Sequence, residues 1–279
     1  MLSSLETLWV FSKLGTMQET ASFLRVTQPT VSKRISALEH DLGRRLIVKN
    51  GRKAVLTKDA VALIDKMVPH LIGLKDLVQI ESRSEHMALS VAWSESLLAS
   101  WGARVSAKLM SELEQVTVTF HAHRSVGVID RIKSGSYEIG ICAGRADSAP
   151  ELLYKQVGFE DYCLYARKSK AENPGAYLVI EKASSSAEAT SRSLQKLKLH
   201  PLVELESYSC MISLAEAGVG SAVVPKNQLR GRAKKGMICR AIPVRRPISV
   251  VYRRSFVKDP ARKNFLNQLI AWCEKELEK

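Results

Sequence analysis

The chain has 279 residues, 46% of them hydrophobic, which is enough for two or three separate cores. Its net charge of +14 favours anionic partners, and it has no run of about 18 apolar residues that could span a membrane. The opening MLSSLETLWVFSKLG lacks the basic start and cleavage site of a secretory signal, and the five cysteines include no CxxC pair, so reduced thiols and a cytoplasmic location are expected.

Leu5, Leu8 and Phe11 recur at helical spacing and Gly15 ends the run, so residues 3–14 are expected to form a first helix. Thr16 begins a T-x-x-E capping box with Glu19, opening a short helix over about 18–25 whose Ala21 allows close helix approach. After a tight turn at Val26-Thr27, Thr27 caps a further helix with Pro29 in its first turn. Val31, Ile35 and Leu38 form its buried stripe. The other side offers Gln28, Pro29, Thr30, Ser32, Lys33 and Arg34, mostly residue types that bond base edges and phosphates in a major groove. Leu42-Gly43 ends that helix. Leu46–Val48 and Ala54–Leu56 then pair as a hairpin around Asn50-Gly51, carrying Lys49, Arg52 and Lys53 toward the DNA backbone. Double-stranded DNA is the expected partner of this winged helix-turn-helix.

The run Q-P-T-V-S-K-R-I-S-A-L-E-x-x-L-G-x-x-L-I, followed by N-G-R-K-x-x-L-T, resembles the LysR-type transcriptional regulators. The resemblance extends over the whole chain, most specifically over residues 16–57. It departs at Ile47, where Phe is common, and at Asp59-Ala60, where Ala-Gly is common. The fold class implied is α/β overall: a winged helix-turn-helix (1–58), a linker and dimerisation helix (59–80), a hinge (81–87) and a two-lobed effector domain of periplasmic-binding-protein type (88–279). A homodimer, a dimer of dimers, contact with RNA polymerase if the protein activates, and a small-molecule effector are further implications; no cofactor or metal is.

Val61, Ile64, Val68, Leu71, Leu74 and Val78 form a seam suited to pairing with a second copy, and Pro69 is expected to kink it or remove one turn of hydrogen bonds. The polar segment ESRSEH, 81–86, reads as the hinge. Beyond it, strands at 88–92, 116–121 and 139–143 alternate with helices at 97–113 and 126–134, a βαβ pattern with a parallel sheet. A second unit starts at Tyr177, with helices at 187–197 and 211–217 and a strand at 221–224; a last helix spans 261–277. Strands 161–167 and 248–254 are the expected crossovers, giving lobe I as 88–163 with 253–279 and lobe II as 164–252.

By resemblance, a cleft between the lobes is lined by Ser94, Glu95, Ser96, Leu97, Arg124, Ser125, Ala143, Gly144 and Ser207 to Met211. Hydroxyls and Arg124 suit a small carboxylate, whereas Glu95 opposes one. An oxidation-sensing alternative rests on Cys210 and Met211 at that cleft, since some relatives respond to oxidants through cysteine or methionine. The basic stretch 226–263, with 13 basic residues against the single acid Asp259, reads as solvated surface, an anionic-ligand site or auxiliary phosphate contacts. Catalysis is not expected. G-V-G-S-A at 218–222 follows a helix and precedes a strand, the reverse of a dinucleotide loop, and neither G-x-S-x-G nor H-E-x-x-H occurs. His121 and His123 share a strand face without a third metal ligand.

Overall fold

A computed structural model describes residues 1–51, 53–81, 87–113, 115–144, 149–170, 177–180, 194–195, 201–232 and 234–278. The chain divides into two units, Met1–Ser82 and Arg83–Lys279.

In the first unit, helix α1 (Leu2–Leu14) ends on Gly15 at a left-handed φ of 80°. Helix α2 (Met17–Leu24) starts at Thr16, whose Oγ1 accepts the Glu19 N–H and donates to the Glu19 carboxylate at 2.7 Å. Helix α3 (Gln28–Leu42) is capped by Thr27 with Pro29 in its first turn. Val31, Ile35 and Leu38 are buried, the first two against Ala21 and the last beside Leu8 and Leu46. Strands β1 (Ile47–Asn50) and β2 (Lys53–Leu56) pair antiparallel with Asn50 opposite Lys53. The turn therefore begins at Gly51, one residue later than expected. Gly51 takes a φ of +62° that a side chain would strain, so glycine rather than asparagine fixes the register.

Helix α4 (Lys58–Glu81) is a single helix that Pro69 does not divide. The seam expected to meet a second copy is partly used internally: Ile64, Val68 and Leu71, with Met67, pack in one cluster with Leu8, Leu38 and Leu46, while Val61 is exposed. A period read from sequence identifies a buried face but not what buries it.

The second unit is built on one mixed eight-stranded sheet of order β4-β3-β5-β10-β6-β9-β7-β8. Strand β3 (Met87–Ser94) pairs parallel with β4 (Val116–His123) and β5 (Ile139–Ala143). The helix expected at 97–113 is three pieces: α5 (Glu95–Leu97), a π-helical stretch Leu98–Gly102, and α6 (Ala103–Glu112). A Cβ on Gly102 would meet the Trp93 ring at 2.8 Å, so glycine lets that stretch close onto Trp93, which Trp101 meets edge-on. Helix α7 (Ser125–Lys133) joins β4 to β5.

Strands β6 (Leu152–Arg167) and β10 (Met237–Arg253) pair antiparallel and pass through both lobes. Short strands β7 (Tyr177–Ile180), β8 (Pro201–Leu205) and β9 (Ser221–Pro225), with helix α8 (Tyr208–Ala217), complete the second lobe; α9 (Pro260–Leu277) returns to the first. The helix expected at 187–197 lies almost entirely outside the described residues. One core gathers Trp93, Trp101, Ile141, Val157, Ile248, Val250 and Leu269; another gathers Tyr162, Leu178, Met211, Val223 and Val244. The chain thus crosses between Val157 and Tyr162 and again between Val244 and Ile248. Both expected crossovers fell too late, and residues 248–252 belong with the first lobe.

Most of the basic stretch 226–263 is solvated surface: ten of its thirteen basic residues are exposed, Arg262 is half-buried, and Arg246 and Arg253 are buried. Arg245 pairs with Asp161, Arg246 with Glu160, Lys234 with Glu216 and Arg230 with Glu276. Arg253 donates to the carbonyls of Ile132 and Tyr137, and Arg254 to that of Pro150.

Candidate functional site

The face of α3 expected to meet nucleic acid is the one left free by its packing on α1 and α2. Gln28, Pro29, Ser32 and Lys33 are exposed along one side of α3, while Val31 and Ile35 hold the other inward. Two residues expected on that face are otherwise engaged. The Thr30 hydroxyl shares a 2.8 Å hydrogen bond with Thr27, and Arg34 is half-buried with Nη1 3.4 Å from Thr7 Oγ1 on α1. Ser36, one turn beyond Ser32 and Lys33, is also exposed. Lys49 is exposed on β1; Arg52 and the Lys53 side chain lie outside the described residues.

Glu39 fixes the wing to the helix. Its Oε1 accepts the N–H groups of Leu46 and Ile47 at 2.8 and 3.1 Å, and Oε2 accepts Arg45 Nη1 at 3.1 Å. Burial raises its pKa, but those hydrogen bonds and the Arg45 charge outweigh burial and hold it below the usual carboxylate range.

Between the lobes of the second unit lies an open cleft. It is lined by Ser94, Glu95, Ser96 and Ala99 after β3, Arg124 and Ser125 after β4, Glu206 to Ser209 at the start of α8, Gln228, and Arg246. Eight expected residues thus converge: Ser94, Glu95, Ser96, Arg124, Ser125, Ser207, Tyr208 and Ser209. Leu97, Ala143 and Met211 are corrections. Leu97 and Ala143 belong to the first core and Met211, 0% exposed, to the second. Their neighbours at the strand and helix ends face the cleft, whereas their own periodicity turns them inward. Cys210 is exposed but is not among the lining residues.

Sequence reading missed the floor of the cleft. Arg246 is 2% exposed and Glu160 1%, and Arg246 Nε and Nη2 donate to Glu160 Oε2 at 2.8 and 2.5 Å. Glu160 Oε1 accepts Trp101 Nε1 from the first lobe at 2.9 Å and Asn227 Nδ2 from the second at 3.0 Å. The guanidinium also lies over Tyr208, whose hydroxyl is 2.7 Å from that of Tyr162. Burial acts against the Arg246 charge, yet Glu160 more than offsets it and raises the pKa. Burial, then Tyr162, raises the Tyr208 phenol well above its usual value.

Hydroxyls continue the network upward. Ser125 Oγ accepts the Ala143 N–H at 3.1 Å and donates to Ser94 Oγ at 3.1 Å, and Ser94 Oγ lies 3.5 Å from Ser96 Oγ. Arg246 Nη2 donates to Ser96 Oγ at 3.3 Å, and Gln228 Nε2 donates to the Ser96 carbonyl. Across the mouth, Arg124 and Glu206 form a loose, exposed 3.8 Å pair. Away from the cleft, His121 stacks on Tyr137, and His123 Nε2 lies 2.9 Å from the Tyr137 hydroxyl. Among the described residues no three His, Cys, Asp or Glu side chains form a metal-holding group, and no helix is long and apolar enough to cross a membrane.

A winged helix-turn-helix followed by a two-lobed α/β unit is the architecture of a bacterial DNA-binding regulator. Comparison with known proteins makes this specific. The bacterial regulatory helix-turn-helix family of lysR type matches residues 2–61, and the LysR substrate binding domain matches residues 82–274. An HTH-type transcriptional regulator of Vibrio cholerae serotype O1 is 31% identical over 229 residues, 81% of this chain and 79% of that protein. The chain belongs to the LysR family of transcriptional regulators. The same fold is seen in full-length OxyR from Pseudomonas aeruginosa, with TM-score 0.74, 15% identity, and coverage of 98% of this chain and 97% of that one. It is seen also in full-length CbnR complexed with its target DNA, with TM-score 0.62, 19% identity, and 99% of each chain covered.

Proposed function

We propose that this regulator reads double-stranded DNA in the cytoplasm with Gln28, Pro29, Ser32 and Lys33 of α3 and Lys49 of the wing. In this reading a small molecule in the interlobe cleft switches DNA binding or activation. Residues 1–58 form the DNA reader, α4 joins two copies into a homodimer that pairs again as a dimer of dimers, and RNA polymerase is a further partner where the protein activates. The observation that carries the effector reading is the convergence of four chain segments, ending at Ser94–Ser96, Arg124–Ser125, Glu206–Ser209 and Arg246, on one polar cleft. A thermal-shift screen of metabolites on the full-length protein tests it, followed by DNA-affinity measurement with each compound that binds. A compound that raises Tm and changes DNA affinity or footprint supports the reading. Binding at a site insensitive to Ser96→Ala and Ser209→Ala, with no effect on DNA, contradicts it.

An oxidation-driven switch is favoured by a different pair from the one expected. Met211 is shielded in the core, and Cys210 has no nearby thiol described. Cys163 on β6 and Cys239 on β10 sit diagonally, since Cys163 opposes Ala241 and Cys239 opposes Tyr165, and after burial the neighbouring Cys239 helps to raise the Cys163 thiol pKa. A peroxide would convert the exposed Cys239 thiol to a sulfenic acid with release of water. The Cys163 thiol would then form the disulfide with release of a second water. Diagonal Cα atoms are about 7–8 Å apart, beyond the usual disulfide span, so the strands would have to shift. That requirement ranks it second. Peptide mapping after peroxide treatment that finds no Cys163–Cys239 linkage eliminates it.

A further inference from the structure

The chemistry lining the cleft narrows the class of effector, an inference that rests on the effector reading above. One wall is all donor. Ser94 Oγ accepts from Ser125 and lies 3.5 Å from Ser96 Oγ, a contact in which either hydroxyl can donate. Ser96 Oγ accepts from Arg246, and its hydrogen is free for a cleft ligand when Ser94 is the donor between them. Arg246, 98% buried by its 2% exposure, bonds Glu160 and Ser96 through Nε and Nη2, so Nη1 has no acceptor among the described residues. The N-caps of α7 and α8, Arg124 and Ser207, make no side-chain capping bond, which leaves first-turn N–H groups at the cleft. A carboxylate suits this wall.

The remaining groups accept. Because the Ser96 carbonyl can only accept, Gln228 must present Nε2 to it, and Oε1 of this lining residue has no donor among the described residues. Glu95 is exposed at the rim and has no ion-pair partner among the described residues; Glu206 is held only by the 3.8 Å contact with Arg124. The lining charges Glu95, Glu206, Arg124 and Arg246 sum to zero. A simple anion would leave both glutamates and the Gln228 oxygen facing negative charge, and a simple cation would oppose Arg246 and two helix N-termini.

We propose that the cleft takes a zwitterion of the α-amino acid class, its carboxylate on Ser96, Arg246 and the helix N-termini and its ammonium on Gln228 and the Glu95–Glu206 rim. The test is calorimetry and thermal shift on the full-length protein. The probes are the standard L-amino acids, each beside its deaminated carboxylic acid and its decarboxylated amine. At least one amino acid is expected to bind, with both analogues at least about tenfold weaker, the factor expected for one lost charge-assisted hydrogen bond. The exposed double variant Glu95→Gln/Glu206→Gln should weaken the amino acid about tenfold or more and tighten the deaminated acid, which no longer faces two like charges. A deaminated acid that binds as tightly as its parent overturns the zwitterion assignment and leaves the effector reading standing. So does failure of every amino acid while some other metabolite binds. If no metabolite of any class binds the cleft, both readings fall.

Discussion

Replacing Glu160 by Gln removes the countercharge of a guanidinium that is 2% exposed. The isosteric amide keeps one oxygen, but four donated hydrogen bonds converge on the native carboxylate, two from Arg246 and one each from Trp101 and Asn227. The Gln amide nitrogen would therefore face a donor. Breaking one side of a buried ion pair costs about 3–5 kcal/mol, because an uncompensated charge is left in low dielectric. That range is large beside the total stability of about 5–15 kcal/mol of a typical domain. The double variant Glu160→Met/Arg246→Met removes both charges and should recover most of the loss, since apolar replacements of similar volume are often neutral. Urea unfolding followed by tryptophan fluorescence measures these, and with the single variants Glu160→Met and Arg246→Met completing the cycle the coupling free energy should exceed about 2 kcal/mol. A Glu160→Gln protein within about 1 kcal/mol of wild type would refute the reasoning, because no buried charge could then be left unpaired.

Two further outcomes follow from the same geometry. Glu39→Ala, which strips the wing of its acceptor for Leu46, Ile47 and Arg45, should cost about 3 kcal/mol in the DNA-binding unit. Because the folded pKa is depressed, that contribution is present above the unfolded carboxylate pKa and is lost as pH falls through the lower folded value; an acid titration of wild type against Glu39→Ala checks this. With a thiol reagent under native conditions, only the exposed Cys210 and Cys239 should react. Burial raises the thiol pKa of Cys142, Cys163 and Cys273, which should react only after unfolding, as labelling mass spectrometry would show.

The first unit was readable in sequence because its signals are local. Caps at Thr16 and Thr27, the stripe Val31–Ile35–Leu38 and the glycine turns each lie within one turn or hairpin. The long strands were half-read for a physical reason. Leu152–Arg167 serves two cores, and its burial pattern changes between them, so no single alternation marks its full length. The ends of β3 and β4 gave the serines and Arg124 of the cleft, because strand ends follow from the apolar runs. Glu160 and Arg246 were illegible: they are 86 residues apart, and Arg246 sat unnoticed in a basic run that reads as surface. Only the tertiary pairing of β6 with β10 reveals that this arginine is buried.

The central claim, that α3 reads DNA in this LysR-family protein, is met most directly by comparing operator affinities. A site located by genome-wide mapping would be titrated with wild type, Lys33→Ala and Gln28→Ala, each checked for an unchanged Tm. Base-edge contacts of about 1–3 kcal/mol predict a loss of roughly 5- to 150-fold in specific binding for Gln28→Ala or Lys33→Ala, with far less change on unrelated DNA. Full-strength footprints from both variants would contradict the assignment of α3 as the reading helix.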